Sequence, residues 1–97
     1  MEYHVGDYLK NLEMCAYLTD FEVEEWMTEN CPLPYLYDRW QKRDAPEIGT
    51  KGTIMFIAPI ARNKGGKKDY TGMYFLSDEG KGYILDEENF EKSIKIF

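Results

Sequence analysis

The second half of the chain, residues 47–97, carries the pattern that most constrains the fold. Two glycine-containing turns and three apolar runs alternate there, the runs covering residues 53–60, 73–76 and 83–85. The sequence Ser-Asp-Glu-Gly-Lys-Gly separates the last two of these runs. Short apolar runs bounded by turn residues are typical of β-hairpins. We therefore predict a small, strongly curved antiparallel sheet in residues 47–97.

Size and composition favour one folded domain. A chain of 97 residues is too short to build two hydrophobic cores. Hydrophobic residues make up 43% of it and aromatic residues 15%, which is more apolar surface than a disordered chain carries. We expect residues 1–97 to form a single α+β domain, with a helical part at 1–46 packed on a β part at 47–97.

The helical part begins with an apolar pattern at three- and four-residue spacing. This spacing predicts a helix over residues 8–18, capped by Asp7, with one face formed by Tyr8, Leu9, Leu12, Cys15 and Ala16. Residues 1–6 precede it as a short lead-in, for which an extended strand paired with the sheet is one alternative. Together with the next helix, this segment would form a helical pair that covers the sheet.

A second helix is predicted from Asp20 onward. Thr19 and Glu22 have the spacing of a capping box, and Leu18 and Val23 have that of a hydrophobic staple. The side predicted to face the core holds Val23, Trp26, Met27 and Asn30. The prolines at 32 and 34 end this helix, because proline donates no backbone hydrogen bond.

The opposite side of the second helix is predicted to be an acidic stripe. Its members are Glu22, Glu25 and Glu29, with Glu24 near the edge. Like charges at this spacing disfavour a helix by about 0.2 to 0.5 kcal/mol per pair. A stripe that costs stability on a well-capped helix suggests a use, and we predict that these carboxylates contact a partner with a basic surface. Solubility alone is the alternative explanation.

A short aromatic segment follows, and Pro34 is predicted to open a third helical turn there. Tyr35, Tyr37 and Arg39 are of the residue types enriched in binding hot spots, so we predict them to be partner-binding residues. Leu36 and Trp40, four residues apart, are expected to insert into the core while the two tyrosines lie at its rim.

The charge is uneven along the chain. Residues 1–44 hold ten acidic and four basic residues and account for the whole net charge of −6. That field opposes non-specific binding to nucleic acid or to an anionic membrane and attracts a basic protein.

One basic segment runs against this charge. The loop between the first two apolar runs holds two glycines and four cations, Arg62, Lys64, Lys67 and Lys68. It lacks the spacing of a nucleotide-binding P-loop. A solvated hairpin turn is the ordinary explanation, and nucleic-acid binding by these residues with nearby aromatics is the alternative function.

The two cysteines do not resemble a metal or redox site. Cys15 and Cys31 lack Cys-x-x-Cys spacing and nearby histidines. We expect packing residues with reduced thiols in a cytoplasmic protein, with a bridge between them as the alternative. No cofactor or metal is expected, and no apolar segment reaches the length of a membrane span.

The ending of the chain resembles SH3-like small β-barrels. The turn and strand at 49–54 lead into strands at 73–76 and 83–85, then Asp86-Glu87-Glu88-Asn89-Phe90 and a last apolar run at 94–97. The resemblance covers about half the chain and implies a fold and a binding role without catalytic residues. Such a barrel has five strands. The fifth would come from a bend in residues 53–60 or from the N-terminal segment, or else the sheet is open.

Nothing in the sequence forms a recognisable catalytic arrangement. The single histidine, His4, lies near the N-terminus, and the paired carboxylates occur in runs typical of solvated surface. We therefore predict a non-catalytic protein-binding module. Its role would be that of an inhibitor or neutraliser of the kind common among small phage and mobile-element proteins, occupying a basic surface of its target, for which a nucleic-acid-binding surface is one alternative.

Overall fold

The structure is a computed structural model that describes residues 3–12, 21–60, 70–86 and 94–95. It contains a five-stranded sheet of order β4-β3-β2-β1-β5 in which every pair is antiparallel. The elements are β1 (Tyr8–Lys10), α1 (Phe21–Asn30), α2 (Pro34–Arg39), β2 (Lys51–Ile60), β3 (Tyr70–Ser77), β4 (Gly82–Asp86) and β5 (Ile94–Lys95). The predicted α+β class is confirmed. In the described part of the chain no pairing joins β4 to β5, so the sheet is open. Neither α1 nor α2, the helices described, is long and apolar enough to cross a membrane.

The predicted first helix is wrong where the structure describes it. Residues 8–10 form strand β1, which lies between β2 and β5, and residues 13–18 lie outside the described residues. Leu9 is fully buried, whereas Leu12 is 40% exposed, so the two do not share the buried face that a helix would give them. Pairing on both sides satisfies the backbone of β1 without a helix. The N-terminal segment thus supplies a fifth strand, and the sheet is not confined to residues 47–97.

Strand β2 contains a β-bulge that changes which face its side chains occupy. Ile54 pairs with Phe75, but Phe56 pairs with the next residue of β3, Tyr74. Side chains two residues apart normally lie on the same face of a strand. The extra residue, Met55, places Phe56 on the opposite face from Ile54. One strand therefore contributes to the cores on both faces of the sheet.

Two hydrophobic cores lie on the two faces of the sheet. The first contains only residues from the strands and the N-terminal segment: Tyr3, Leu9, Ile54, Met73, Phe75, Tyr83 and Leu85. The second joins the helices to the sheet through Val23, Trp26, Met27, Leu36, Trp40, Phe56, Tyr74 and Ile84. The predicted burial of both tryptophans is confirmed, since Trp26 is 3% and Trp40 is 9% exposed.

Helix α1 buries the side that the sequence predicts, with one exception. Val23, Trp26 and Met27 are buried, but Asn30 is exposed. The Asn30 side-chain amide donates to the Trp26 carbonyl oxygen at 3.0 Å, which is a local contact at the helix end and not a core position. The predicted capping residues before Phe21 lie outside the described residues.

Tyr74 joins α2 to the sheet from inside the second core. Its ring is fully buried, and its hydroxyl donates to the Leu36 carbonyl oxygen at 2.5 Å. The neighbouring strand makes room for this contact with Gly82, where a Cβ atom would lie 1.8 Å from the Tyr74 hydroxyl oxygen. Gly82 also accepts a hydrogen bond from the Gln41 backbone N–H at 2.7 Å. The end of α2 is therefore fixed to β3 and to β4.

Candidate functional site

The predicted partner-binding residues lie on α1 and α2, outside the second core. Glu24, Glu25 and Glu29 are exposed on α1, opposite the buried Trp26 and its neighbours. Glu22 belongs to the same helix, and its side chain lies outside the described part of the structure. All three acidic side chains that the structure describes on α1 are therefore exposed, as predicted.

The aromatic segment folds as the sequence predicts. Leu36 is fully buried and Trp40 is nearly so, whereas Tyr35 is 42% and Tyr37 is 39% exposed. The rings of Tyr37 and Trp40 meet edge to face, with centroids 5.9 Å apart. Two exposed tyrosines are consequently held on a helix whose other side is inserted in the core, a rigid placement that favours binding.

Lys42 connects α1 to the aromatic segment, a contact that no local sequence pattern indicates. Its ammonium nitrogen lies 3.6 Å from a Glu24 carboxylate oxygen, 5.9 Å from the centroid of the Tyr37 ring and 5.2 Å from that of Trp40. Both members of the ion pair are more than half exposed, so the pair adds little stability. Lys42 instead connects Glu24 of α1 to the rings of Tyr37 and Trp40.

Arg39 is engaged within the protein as well as exposed. Its guanidinium carbon lies 5.6 Å from the centroid of the Tyr35 ring, and Nη1 donates to the Gly80 carbonyl oxygen at 3.5 Å. Gly80 has a φ of +86° and leaves room for this contact, because a Cβ there would lie 2.5 Å from Nη1. Arg39 therefore fixes Tyr35 against the turn between β3 and β4.

We call these exposed residues the helical face: Glu24, Glu25, Glu29, Tyr35, Tyr37, Arg39 and Lys42. Among the described residues Glu24 has a cationic partner, whereas Glu25 and Glu29 form no ion pair. Two carboxylates on one exposed helix side are therefore without a cationic partner among the described residues.

Two other predictions fall wholly or partly outside the described residues. The basic loop with Arg62, Lys64, Lys67 and Lys68 lies there, as does Cys15. Cys31 is described: its thiol is free and half-buried, packs against the second core, and donates to the Leu33 carbonyl oxygen at 3.2 Å. These contacts support a packing role for Cys31.

The buried tyrosine makes stability sensitive to alkali. Burial, with a smaller contribution from nearby Cys31, raises the pKa of Tyr74 well above its ordinary value. The folded state therefore favours the neutral phenol, and the stability this provides is complete below the unfolded-state pKa of about 10. We expect the free energy of unfolding, measured in urea, to fall as pH rises from 9 to 11. The loss should be smaller in Tyr74→Phe, and an equal loss in that variant would contradict the assignment.

Comparison with protein-family models, with curated proteins and with solved structures finds no match. Within the described ranges, no group of three or more His, Cys, Asp or Glu residues is placed to hold a metal ion. The exposed surfaces therefore provide the evidence on function.

Proposed function

We propose that this protein is a non-catalytic, cytoplasmic protein-binding module whose helical face occupies a basic surface of a partner protein. The observation that carries the proposal is the exposed pair Glu25 and Glu29, without ion pairs among the described residues. They lie on the helix whose Glu24 is connected through Lys42 to the exposed Tyr37. The role that fits such a face is that of a small inhibitor or neutraliser, of the phage or mobile-element kind, for a target whose basic surface normally holds nucleic acid.

The packing of α1 supports this proposal, because it removes any need for stabilising surface charges. The Trp26 ring stacks on Phe56 with centroids 5.0 Å apart, and its indole N–H donates to the Ala58 carbonyl oxygen at 3.2 Å. Burying a large apolar side chain contributes about 1.5 to 3 kcal/mol, whereas a like-charge pair on a helix costs about 0.2 to 0.5 kcal/mol. The core holds the helix in place with an unfavourable acidic side exposed.

The two parts of the helical face suit different parts of a partner. Lys and Arg side chains of the partner would meet Glu25 and Glu29, where charge steers the encounter. The rings of Tyr35 and Tyr37 contact the cations of Arg39 and Lys42, so they offer apolar area and hydroxyl groups with part of their conformational freedom already restricted. We propose that the acidic part governs the association rate and the aromatic part the dissociation rate.

We also propose that the sheet is a variant of the SH3-like barrel. Five strands, the number that such a barrel needs, and a last strand that pairs with the first support this relation. The open side between β4 and β5 in the described residues is the difference from a closed barrel.

Neutralising the acidic stripe tests the function. The partner is first isolated by a pull-down from cells of the source organism. Changing Glu22, Glu25 and Glu29 together to Gln should then slow association, most clearly at low salt, because exposed charges act chiefly through steering. The same change should raise stability by a few tenths of a kcal/mol, because it removes like-charge repulsion. Stopped-flow association and urea unfolding measure the two effects.

The matched control reverses the charge of Arg62, Lys64, Lys67 and Lys68. Under our proposal this loop variant keeps its affinity for the partner. If it lost binding while the acidic-stripe variant kept it, the inhibitor role would be abandoned. Measurable affinity for generic DNA or RNA that falls steeply with salt would instead support the nucleic-acid alternative.

A further inference from the structure

A cleft of about 370 Å³ lies beside Tyr83 of the first core. It borders the turn between β3 and β4, which Arg39 of the helical face contacts through Gly80. Its lining comes from the segment before β2, which includes Asp44 and Glu47, from Lys51 at the start of β2, and from the turn between β3 and β4 together with Tyr83. The volume lies in the range of small-ligand sites in proteins.

The cleft carries excess negative charge. Four carboxylates line it, those of Asp44, Glu47, Asp78 and Glu79, against the two ammonium groups of Lys51 and Lys81. All four acidic residues are exposed, and within the described part of the chain neither lysine forms an ion pair with them. The Tyr8 hydroxyl donates to Asp78, and the Ala45 backbone N–H donates to Asp44 Oδ1 at 2.8 Å. Glu47 and Glu79 are therefore the carboxylates most open to a ligand, with the second oxygen of Asp44 beside them.

The Tyr83 hydroxyl is the second observation. Tyr83 is 7% exposed, with its ring in the first core, and it lines the cleft. Among the described residues no hydrogen-bond partner reaches its hydroxyl, although buried polar groups are nearly always paired. Burial first, and then the charges of Asp44, Glu79 and Glu47, raise the pKa of Tyr83. A neutral phenol therefore faces three carboxylates.

We propose that this cleft binds the guanidinium group of an arginine side chain or of a small guanidine compound. Guanidinium is planar, permanently charged and carries five N–H donors with no acceptor. Carboxylates from two segments of the chain and the Tyr83 phenol oxygen supply several acceptors in one cleft, which suits this group better than the compact ammonium of lysine.

The test uses N-acetyl-arginine amide as the probe in an NMR titration of the whole protein. N-acetyl-citrulline amide, which has nearly the same shape without the charge, is its matched control. We expect the arginine compound to shift the Tyr83 ring signals saturably and the citrulline compound to bind at least about tenfold more weakly, the ratio expected when a charge-assisted hydrogen bond is lost. Equal binding of the two compounds, or no binding of either, would overturn the proposal.

Variants locate the binding in this cleft. The double change Glu47→Gln and Glu79→Gln, and separately Tyr83→Phe, should each weaken arginine binding by about tenfold. Both glutamates are exposed, and Phe keeps the ring of Tyr83 in the core, so these variants should fold. Asp38→Asn on α2 removes an exposed carboxylate that belongs neither to this cleft nor to the helical face, and it should leave arginine binding unchanged. Unchanged binding in both cleft variants would contradict the site.

Two further probes distinguish the sources of the guanidinium group. The peptide Gly-Gly-Arg-Gly-Gly represents an arginine presented by a protein, and agmatine represents a free small compound. Tighter binding of the peptide supports a protein source, and equal or tighter binding of agmatine supports a small-molecule source. Failure of both probes to bind would overturn the proposal.

Discussion

Replacing Trp26 by alanine is expected to lower the free energy of unfolding by about 3 to 5 kcal/mol, the usual cost of truncating a large core aromatic residue. Trp26 is 3% exposed, stacks on Phe56 and donates to the Ala58 carbonyl oxygen. It therefore joins α1 to β2 by packing and by a hydrogen bond. Small domains have about 5 to 15 kcal/mol of stability in total, so the variant should unfold in markedly less urea.

Trp26→Phe is the matched control for this prediction. It keeps an aromatic ring against Phe56 and removes the indole N–H, so it should cost clearly less than the alanine variant. Urea unfolding followed by circular dichroism measures both. A loss below about 1 kcal/mol in Trp26→Ala would show that the position is not a core position.

Gly82→Ala should also destabilise the protein strongly, although alanine ordinarily suits a strand better than glycine by about 0.5 to 1 kcal/mol. The added Cβ would lie 1.8 Å from the Tyr74 hydroxyl oxygen and 2.2 Å from Cζ of the same ring. The ring is fully buried and its hydroxyl is bonded to Leu36, so it has little room to move. We expect a loss of about 1 to 3 kcal/mol from overpacking, together with weakening of the hydrogen bond to α2.

A double-mutant cycle checks the cause. In a Tyr74→Leu background the aromatic ring is absent, and Gly82→Ala should then cost little or become stabilising. Gly49→Ala is a useful contrast, because Gly49 has a φ of +93° and open space around it, so its cost would come from the backbone alone. Equal effects of Gly82→Ala with and without Tyr74 would show that the contact is not the reason.

The parts of the fold that local pattern determines were predicted well. The turn residues between the apolar runs place β3 and β4 correctly, because glycine and acidic residues favour turns in any context. The buried side of α1 and the insertion of Leu36 and Trp40 follow from helical spacing. This pattern lies within a single amphipathic segment, so it can be read without knowing the tertiary structure. The exposed positions of Tyr35 and Tyr37 follow from the same spacing.

The rest depends on contacts between residues distant in sequence. Residues 8–10 fit a helical pattern locally, yet they pair with Lys51, Gly52 and Thr53. The local sequence does not indicate a pairing partner more than 40 residues away. The bulge at Met55 changes the face of Phe56 only when β3 is paired with β2. Lys42 joins Glu24 to the aromatic segment through tertiary structure alone, and Tyr83 faces carboxylates from another segment for the same reason.

The attachment of α2 to β4 has a consequence for how copies of the protein meet one another. β4 is an edge strand of the sheet, and exposed edge strands invite pairing with the strands of other molecules. The segment after α2 lies along the start of that edge. Trp40 forms an isolated β-bridge with Gly82, and the Gln41 backbone N–H donates a hydrogen bond to the Gly82 carbonyl oxygen. The segment after α2 thereby occupies the start of this edge, which disfavours pairing with a strand of another molecule and so disfavours aggregation.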